Sequence, residues 1–179
     1  LQVPTGRSDS LSFFGRANVQ QRVDLTSELH PLQVLPLPTE NVPDDFTGAV
    51  GNFTSLAVTA SPTNLAVGDP VTIKIQIAGQ GGLDALALPA LTQWREFKVY
   101  PATSKVETSD QLGTQGIKTF EQVVTPENAE VKALPAISFS FFDPDRKTYR
   151  TLQQPAIPIS VRASAAVPAQ PTILVNTNQ

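Results

Sequence analysis

Two carboxylates two residues apart, Asp143 and Asp145 in "FSFFDPDRKTY", have the spacing that most resembles a ligand set in this sequence. Carboxylates at i and i+2 can begin a calcium loop. Such a loop needs further oxygen donors and a glycine at set positions, whereas Arg146 and Lys147 follow here and repel a cation. Asp143 followed by Pro144 instead suits the first two positions of a type I turn, with the aspartate side chain accepting from backbone amides further along. The stretch therefore reads as a turn between two strands. A second acidic pair, Asp44 and Asp45, precedes Phe46, and a calcium ion at a domain junction could use it if ligands came from both domains.

Other residues that could do chemistry are few. His30 is the only histidine and stands before Pro31; with no cysteine and no second histidine it cannot build a zinc triad. A serine triad needs a histidine beside an activated serine with an orienting carboxylate, and nothing like GxSxG occurs, so His30 reads as an ordinary loop residue. The run "GQGG" at 79–82 could be imagined as a phosphate cradle, but Leu83 and Asp84 follow it where a P-loop has Lys-Ser/Thr; it reads as a flexible strand-to-loop bend. Trp94, Phe97 and Tyr100 fall close together. An exposed Trp94–Tyr100 pair would suit a sugar- or peptide-binding surface, and the opposing reading puts Phe97 in the core and Trp94 over the end of the domain. No catalytic residue, cofactor site or metal site is assigned; Trp94 and Tyr100 are the candidate binding surface.

The elements that must position these residues are strands. "VTIKIQI" at 71–77 alternates Val71, Ile73, Ile75 and Ile77 against Thr72, Lys74 and Gln76, and "SLAVTA" sets Leu56, Val58 and Ala60 on one face. Gly68 and Asp69 turn the chain between them, and the glycines at 79–82 end the pattern. "LDALALPAL" is too short and too closely flanked by Gly and Pro for a helix, and reads as a loop covering the core. "EFKVY" is a strand ended by Pro101. "IKTFEQVV" at 117–124 is one with weak facing, Phe120 and Val124 on one side and Ile117 and Val123 on the other. "PAISFSFFD" aligns Ile137, Phe139 and Phe141, "KTYRTL" follows the bend, and "AIPISVR" aligns Ile157, Ile159 and Val161, with Pro158 placing that strand at a sheet edge.

About seven short strands with Gly/Pro turns predict an all-β, immunoglobulin-like β-sandwich over 46–163. Residues 1–45 read as the end of an upstream β domain, with strand-like pieces at Arg22–Ser27 and Leu32–Leu35, plus a proline-rich linker; 164–179 read as an Ala/Pro linker and tail. Sixteen prolines and 16% charged residues in 179 fit a globular chain of loops and edges rather than long helices. A net charge of -3 without a Lys/Arg cluster offers no footprint for nucleic acid or an anionic membrane. Without cysteine there is no disulfide framework or thiolate site, and the redox compartment stays open. No apolar run approaches the roughly 20 residues that cross a bilayer. The absence of an initiator Met and of a signal-peptide pattern reads as a fragment of a longer protein.

Four stretches then stand in order: "LPLPTENVPDDFTGAVGNF", "AVGDPVTIKIQIAGQGGLDAL", "FKVYPATSKV" and "PAISFSFFDPDRKTYRTLQQPAIPISV". Together, over residues 32–162, they resemble the BatD family, oxygen-tolerance proteins first named for aerotolerance in Bacteroides. Two departures are the longer "TQWREFKVY" approach to the third stretch and Ala102 where the family has a second proline. The resemblance implies a periplasmic, envelope protein with a string of β-sandwich domains and a membrane anchor outside this chain. It also implies protein partners: von Willebrand factor A-type proteins and a MoxR-type AAA+ ATPase system. The family has no established enzymatic activity, so the resemblance carries over no catalytic residues. The function it points to is a non-enzymatic interaction or scaffold module, with the 156–162 strand or the pieces before residue 36 as candidate edges; the alternative is a carbohydrate-binding or adhesin module.

Overall fold

A computed structural model describes residues 24, 27, 29–89, 91 and 94–164 of the chain. The strands lie in a compact unit that begins at Leu37. They are β1 (Gly51–Ser61), β2 (Asn64–Ala66), β3 (Val71–Gly81), β4 (Phe97–Val99), β5 (Thr103–Thr108), β6 (Gln115–Pro126), β7 (Ala133–Leu134), β8 (Ile137–Asp143), β9 (Thr148–Gln154), β10 (Ile157–Pro158) and β11 (Ser160–Arg162). Among the described residues one single-turn 3-10 helix, Leu83–Ala85, interrupts them. The chain is all-β, as its alternation predicts, and consistent with a β-sandwich.

The main sheet runs β1-β3-β6, with β4 and β5 placed end to end along the far side of β6, all neighbours antiparallel. Facing it are the β8–β9 hairpin and two small pairs, β7 with β10 and β2 with β11, the last of them parallel. The alternation of β3 comes out in full: Val71, Ile73, Ile75 and Ile77 are all 0% exposed. Opposite them stand Leu56, Val58 and Ala60 of β1 in register with Ile77, Ile75 and Ile73.

The core is pinned by one ring. Phe53, 0% exposed, meets Phe139 and Phe141 of β8 edge-to-face, with centroids 5.2 Å from each. On its other side it lies on glycine: a Cβ at Gly51 or Gly81 would come within 3.1 Å of the ring, and one at Gly79 within 2.9 Å. Cross-strand pairing sets Gly51 against Gly81 and Phe53 against Gly79, with a bulge before Ser55. The glycines of "GQGG" therefore do not end the strand, as their flexibility suggests; β3 continues through Gly81. Their lack of a side chain is used for close approach instead, since a Cβ at Gly79 would also sit 2.5 Å from the carbonyl oxygen of Asn52.

A second departure concerns Pro101. It ends β4, but the strand resumes as β5: Val99 pairs with Val124 and Thr103 with Glu121, so three residues oppose two across the gap. Gln122, 2% exposed, fills the break by donating its side-chain amide to the carbonyls of Tyr100 and Val123. The inward face of β6 is thus Lys118, Phe120, Gln122 and Val124, two of them polar, which explains why its facing is weak in the sequence. Lys118 donates to the carbonyl of Asp84 at 2.8 Å and lies over the Phe120 ring, tying the 3-10 turn to the sheet. Leu83 and Leu86 of the Leu/Ala segment cover the core.

The β8 strand is buried on both faces, not one. Its outer face is covered by residues 38–46: Asp45 accepts from the hydroxyls of Ser138 (2.6 Å) and Ser140 (2.5 Å). Tyr149 donates to the carbonyl of Pro38 at 2.7 Å and meets Phe46 and Phe142 edge-to-face. The 157–162 stretch keeps the predicted inward facing of Ile157, Ile159 and Val161 but divides between two partners at Ile159. Leu32–Leu35, read as strand-like, are exposed and carry no strand, and most of the Arg22–Ser27 piece lies outside the described residues.

The glycine seat makes a paired prediction. Gly79→Ala should destabilise the protein by about 2 kcal/mol or more, because backbone rather than a yielding side chain meets the new methyl. Gly82→Ala, with no closer neighbour than the Ala85 Cβ at 4.0 Å, should stay within about 0.5 kcal/mol of the parent. Urea unfolding of both variants beside Phe53→Ala, expected to cost about 3–5 kcal/mol, checks this.

Candidate interaction surface

The carboxylates singled out for their spacing are engaged inside the fold. Asp143, 1% exposed, closes the β8–β9 hairpin: its Oδ1 accepts the backbone N–H groups of Asp145 (3.1 Å) and Arg146 (3.0 Å). Its Oδ2 takes Arg150 at 3.2 Å, with Arg146 at 3.7 Å. The four-residue connection ends on Lys147 at φ 53, the left-handed residue that lets a type I turn rejoin a strand. The Asp145 carboxylate has a separate partner, accepting from the Asn52 amide at 2.6 Å. The turn reading of "DPDRK" is what the geometry shows.

Four carboxylates are held below their ordinary range: Glu107, exposed on the sheet, by the Lys105 ammonium 2.7 Å away, and three others, Asp143, Asp45 and Asp110, by contacts that fasten loops. For Asp143 the amide of Arg146 contributes most; with Arg150 and the Asp145 amide it outweighs the opposing effect of burial. Burial is the largest influence on Asp45 and works to raise it, yet the two serine hydroxyls together with backbone prevail. Asp110 is lowered first by the Gln115 amide and then by Thr114, whose N–H and hydroxyl it also accepts. The three aspartates are ionised anchors for loops, none a proton donor near neutral pH. His30 is exposed in the segment before Pro36, and Asp44 is exposed beside its engaged neighbour.

Of the aromatic candidates, Trp94 is 4% exposed and packs on Phe97 at 5.3 Å, while Tyr100 is 39% exposed with the Lys98 ammonium 5.3 Å above its ring. Trp94 thus has no free face to lay on a sugar, and the two residues do not form a joint platform. What sequence reading missed is the outward face of the main sheet, whose polar, small residues carry no signal of their own.

Across that face, register brings Ala57, Gln76, Thr119 and Lys105 into one row, and Thr59, Lys74, Glu121 and Thr103 into the next. Two depressions lie on it. One of about 550 Å³ is lined by Asn52, Thr54, Gln80, Glu107 and Gln115, with Gly79 and Gly116 also lining it. The other, about 290 Å³, is lined by Lys74, Lys105, Glu107 and Glu121. Both are open, shallow and of mixed charge, which suits contact with a protein surface better than enclosure of a small molecule. Among the described residues no group of three or more His, Cys, Asp or Glu could hold a metal ion. No helix among them is long and apolar enough to cross a membrane.

Among known families, the model described as a BatD DUF11 like domain matches residues 58–161, more than half of the chain. No curated protein and no solved structure matches. The matched region holds the glycine seat's β3 side, the interrupted β4–β5 strand and the Asp143 hairpin.

The depressed carboxylates set the response to acid. Because their native pKa values lie below those of the unfolded chain, the unfolded state takes up protons first as pH falls. Their stabilisation is complete above roughly pH 5 and is lost as pH drops through the native values. Asp143→Asn should therefore melt at a lower temperature than the parent at pH 7 and lose less between pH 5 and 2. Thermal midpoints of the two proteins across that range provide the check, and parallel curves would assign the acid response to other groups.

Proposed function

The chain belongs to the BatD family, and on that premise we propose that it is a non-enzymatic interaction module of a periplasmic envelope protein. The observation that carries this reading is how the ionisable groups are spent. Asp45, Asp110 and Asp143 are committed to backbone and hydroxyl partners that hold loops in place, and what remains for a partner is an open sheet face of paired Lys and Glu side chains. Contact with such a face is a protein–protein chemistry, specific through charge placement and tolerant of water.

The partners we propose are von Willebrand factor A-type proteins, in a membrane-associated assembly that includes a MoxR-type AAA+ ATPase, with the membrane anchor carried outside this chain. The oxygen-tolerance role of the family then reaches this domain through assembly of the envelope. A redox role through thiol or thioether chemistry has no side chains to perform it, because the chain has no cysteine and no methionine.

Calorimetric titration of the 179-residue chain with a von Willebrand factor A-type domain from the same genome tests this. Saturable binding in the micromolar range is expected, weakened several-fold by Lys74→Glu with Lys105→Glu. No heat at high micromolar concentrations of both proteins would remove the partner assignment.

A further inference from the structure

The main sheet has two edges of different construction. On the β4–β5 side the edge is broken at Pro101 and carries Lys98, Lys105 and Glu107, the kind of interruption and charge that keeps an edge from pairing. The β1 edge has neither. From Gly51 to Ser61 it reads "GNFTSLAVTAS", with no charged residue and no proline. The chain just before it is engaged, Val50 bridging Phe142, and the bulge bends the strand between Phe53 and Ser55. Beyond the bulge, Ser55–Ser61 has a backbone partner on the β3 side alone among the described residues. The outer row of N–H and C=O groups there is a template for another strand.

The side chains specify which strand. Ser55, Ala57, Thr59 and Ser61 are exposed on the outward face, and Leu56 and Ala60 are only partly buried on the inward face, flanking Val58 at 9% exposure. We propose that this edge is a self-association site: a second copy of the chain pairs its β1 antiparallel to the first about a two-fold axis at Ala57, joining two main sheets into one. Directly opposed residues share a face in an antiparallel pair, so the symmetry dictates the contacts. Ala57 meets its own counterpart, Ser55 meets Thr59, and Leu56 meets Val58, each in both directions. No opposed pair brings charge to charge. The small outward residues keep the joined face flat, and each copy's half-covered Leu56 gains the apolar cover that a charged or hydrophilic strand could not supply.

This association does not depend on the partner reading above, since it uses an edge that the sheet face leaves free. A single strand pair is a small interface, so the dimer should form at roughly 0.1–1 mM protein rather than at nanomolar concentration.

The chain has no cysteine, which makes cross-linking decisive. In Ala57→Cys the lone thiols of two copies stand opposite each other on the axis, at the 4.5–5.5 Å Cα spacing of antiparallel pairs, within reach of a disulfide. Mild oxidation should convert this variant to covalent dimer at least tenfold faster than Thr72→Cys, whose exposed thiol lies on β3 away from the edge. Sedimentation equilibrium of the parent chain should show its mass rising towards two chains across the same concentrations. Ala57→Lys, which sets two ammonium groups face to face, should stay monomeric with an unchanged melting temperature. Equal oxidation rates for the two thiol variants, or a parent that stays monomeric at 1 mM, would overturn the proposal. So would a dimer that survives in correctly folded Ala57→Lys.

Discussion

The ring of Phe53 rests on Gly51, Gly79 and Gly81 and presses its other side against Phe139 and Phe141, and the spacing between the two layers is set by this one stack. Any side chain at the three glycine positions would lift the ring or push β1 away from β3. The bulge beside Phe53 and the close pairing of Gly79 with both Phe53 and Gly116 follow from the same demand for space. Edge-to-face contacts at this distance add about 0.5–1.5 kcal/mol per pair to the burial of the rings themselves. A glycine run that would loosen an ordinary strand is here the means of placing an aromatic residue at the centre of the core.

Polar groups are used to repair the irregularities that such a fold creates. Pro101 breaks the ladder along β6, and the Gln122 amide restores donors at the break. Asp143 supplies acceptors for the turn amides, Asp45 fastens residues 38–46 over β8, and Asp110 organises the β5–β6 connection. Each engagement makes local structure out of a group that composition alone would offer as a catalytic or ligand candidate. The stretches that carry the family resemblance are largely these devices: the "AVGDP" turn, the glycine seat, the interrupted strand and the "FFDPDRKTY" hairpin.

That pattern explains what was legible in the sequence and what was not. Strands with an apolar face and a polar face announced themselves, as in Val71–Ile77 and Leu56–Ala60, because burial on one side imposes period two. The hairpin turn was legible because Asp-Pro has a local mechanism. Where an inward position is polar, as at Lys118 and Gln122, the period is erased and facing becomes ambiguous. Where a proline interrupts a strand, the continuation at Thr103 looks like a loop. The role of Gly79 and Gly81 depends on a residue more than twenty positions away, Phe53, so no local reading could distinguish a seat from a hinge. Trp94 is a different case: of the two readings open to it in the sequence, the fold takes the one that buries it beside Phe97.

Residue-resolved native-state amide exchange tests most directly whether the glycines form a fixed seat. The account predicts that the amides of Ala78–Gly81 that bond across the sheet exchange only with global unfolding, at opening free energies equal to those of Ile73–Ile77 and with the same denaturant dependence. Exchange at the glycine end through a separate, denaturant-insensitive opening, while Ile73–Ile77 stay protected, would show a flexible bend there and contradict it.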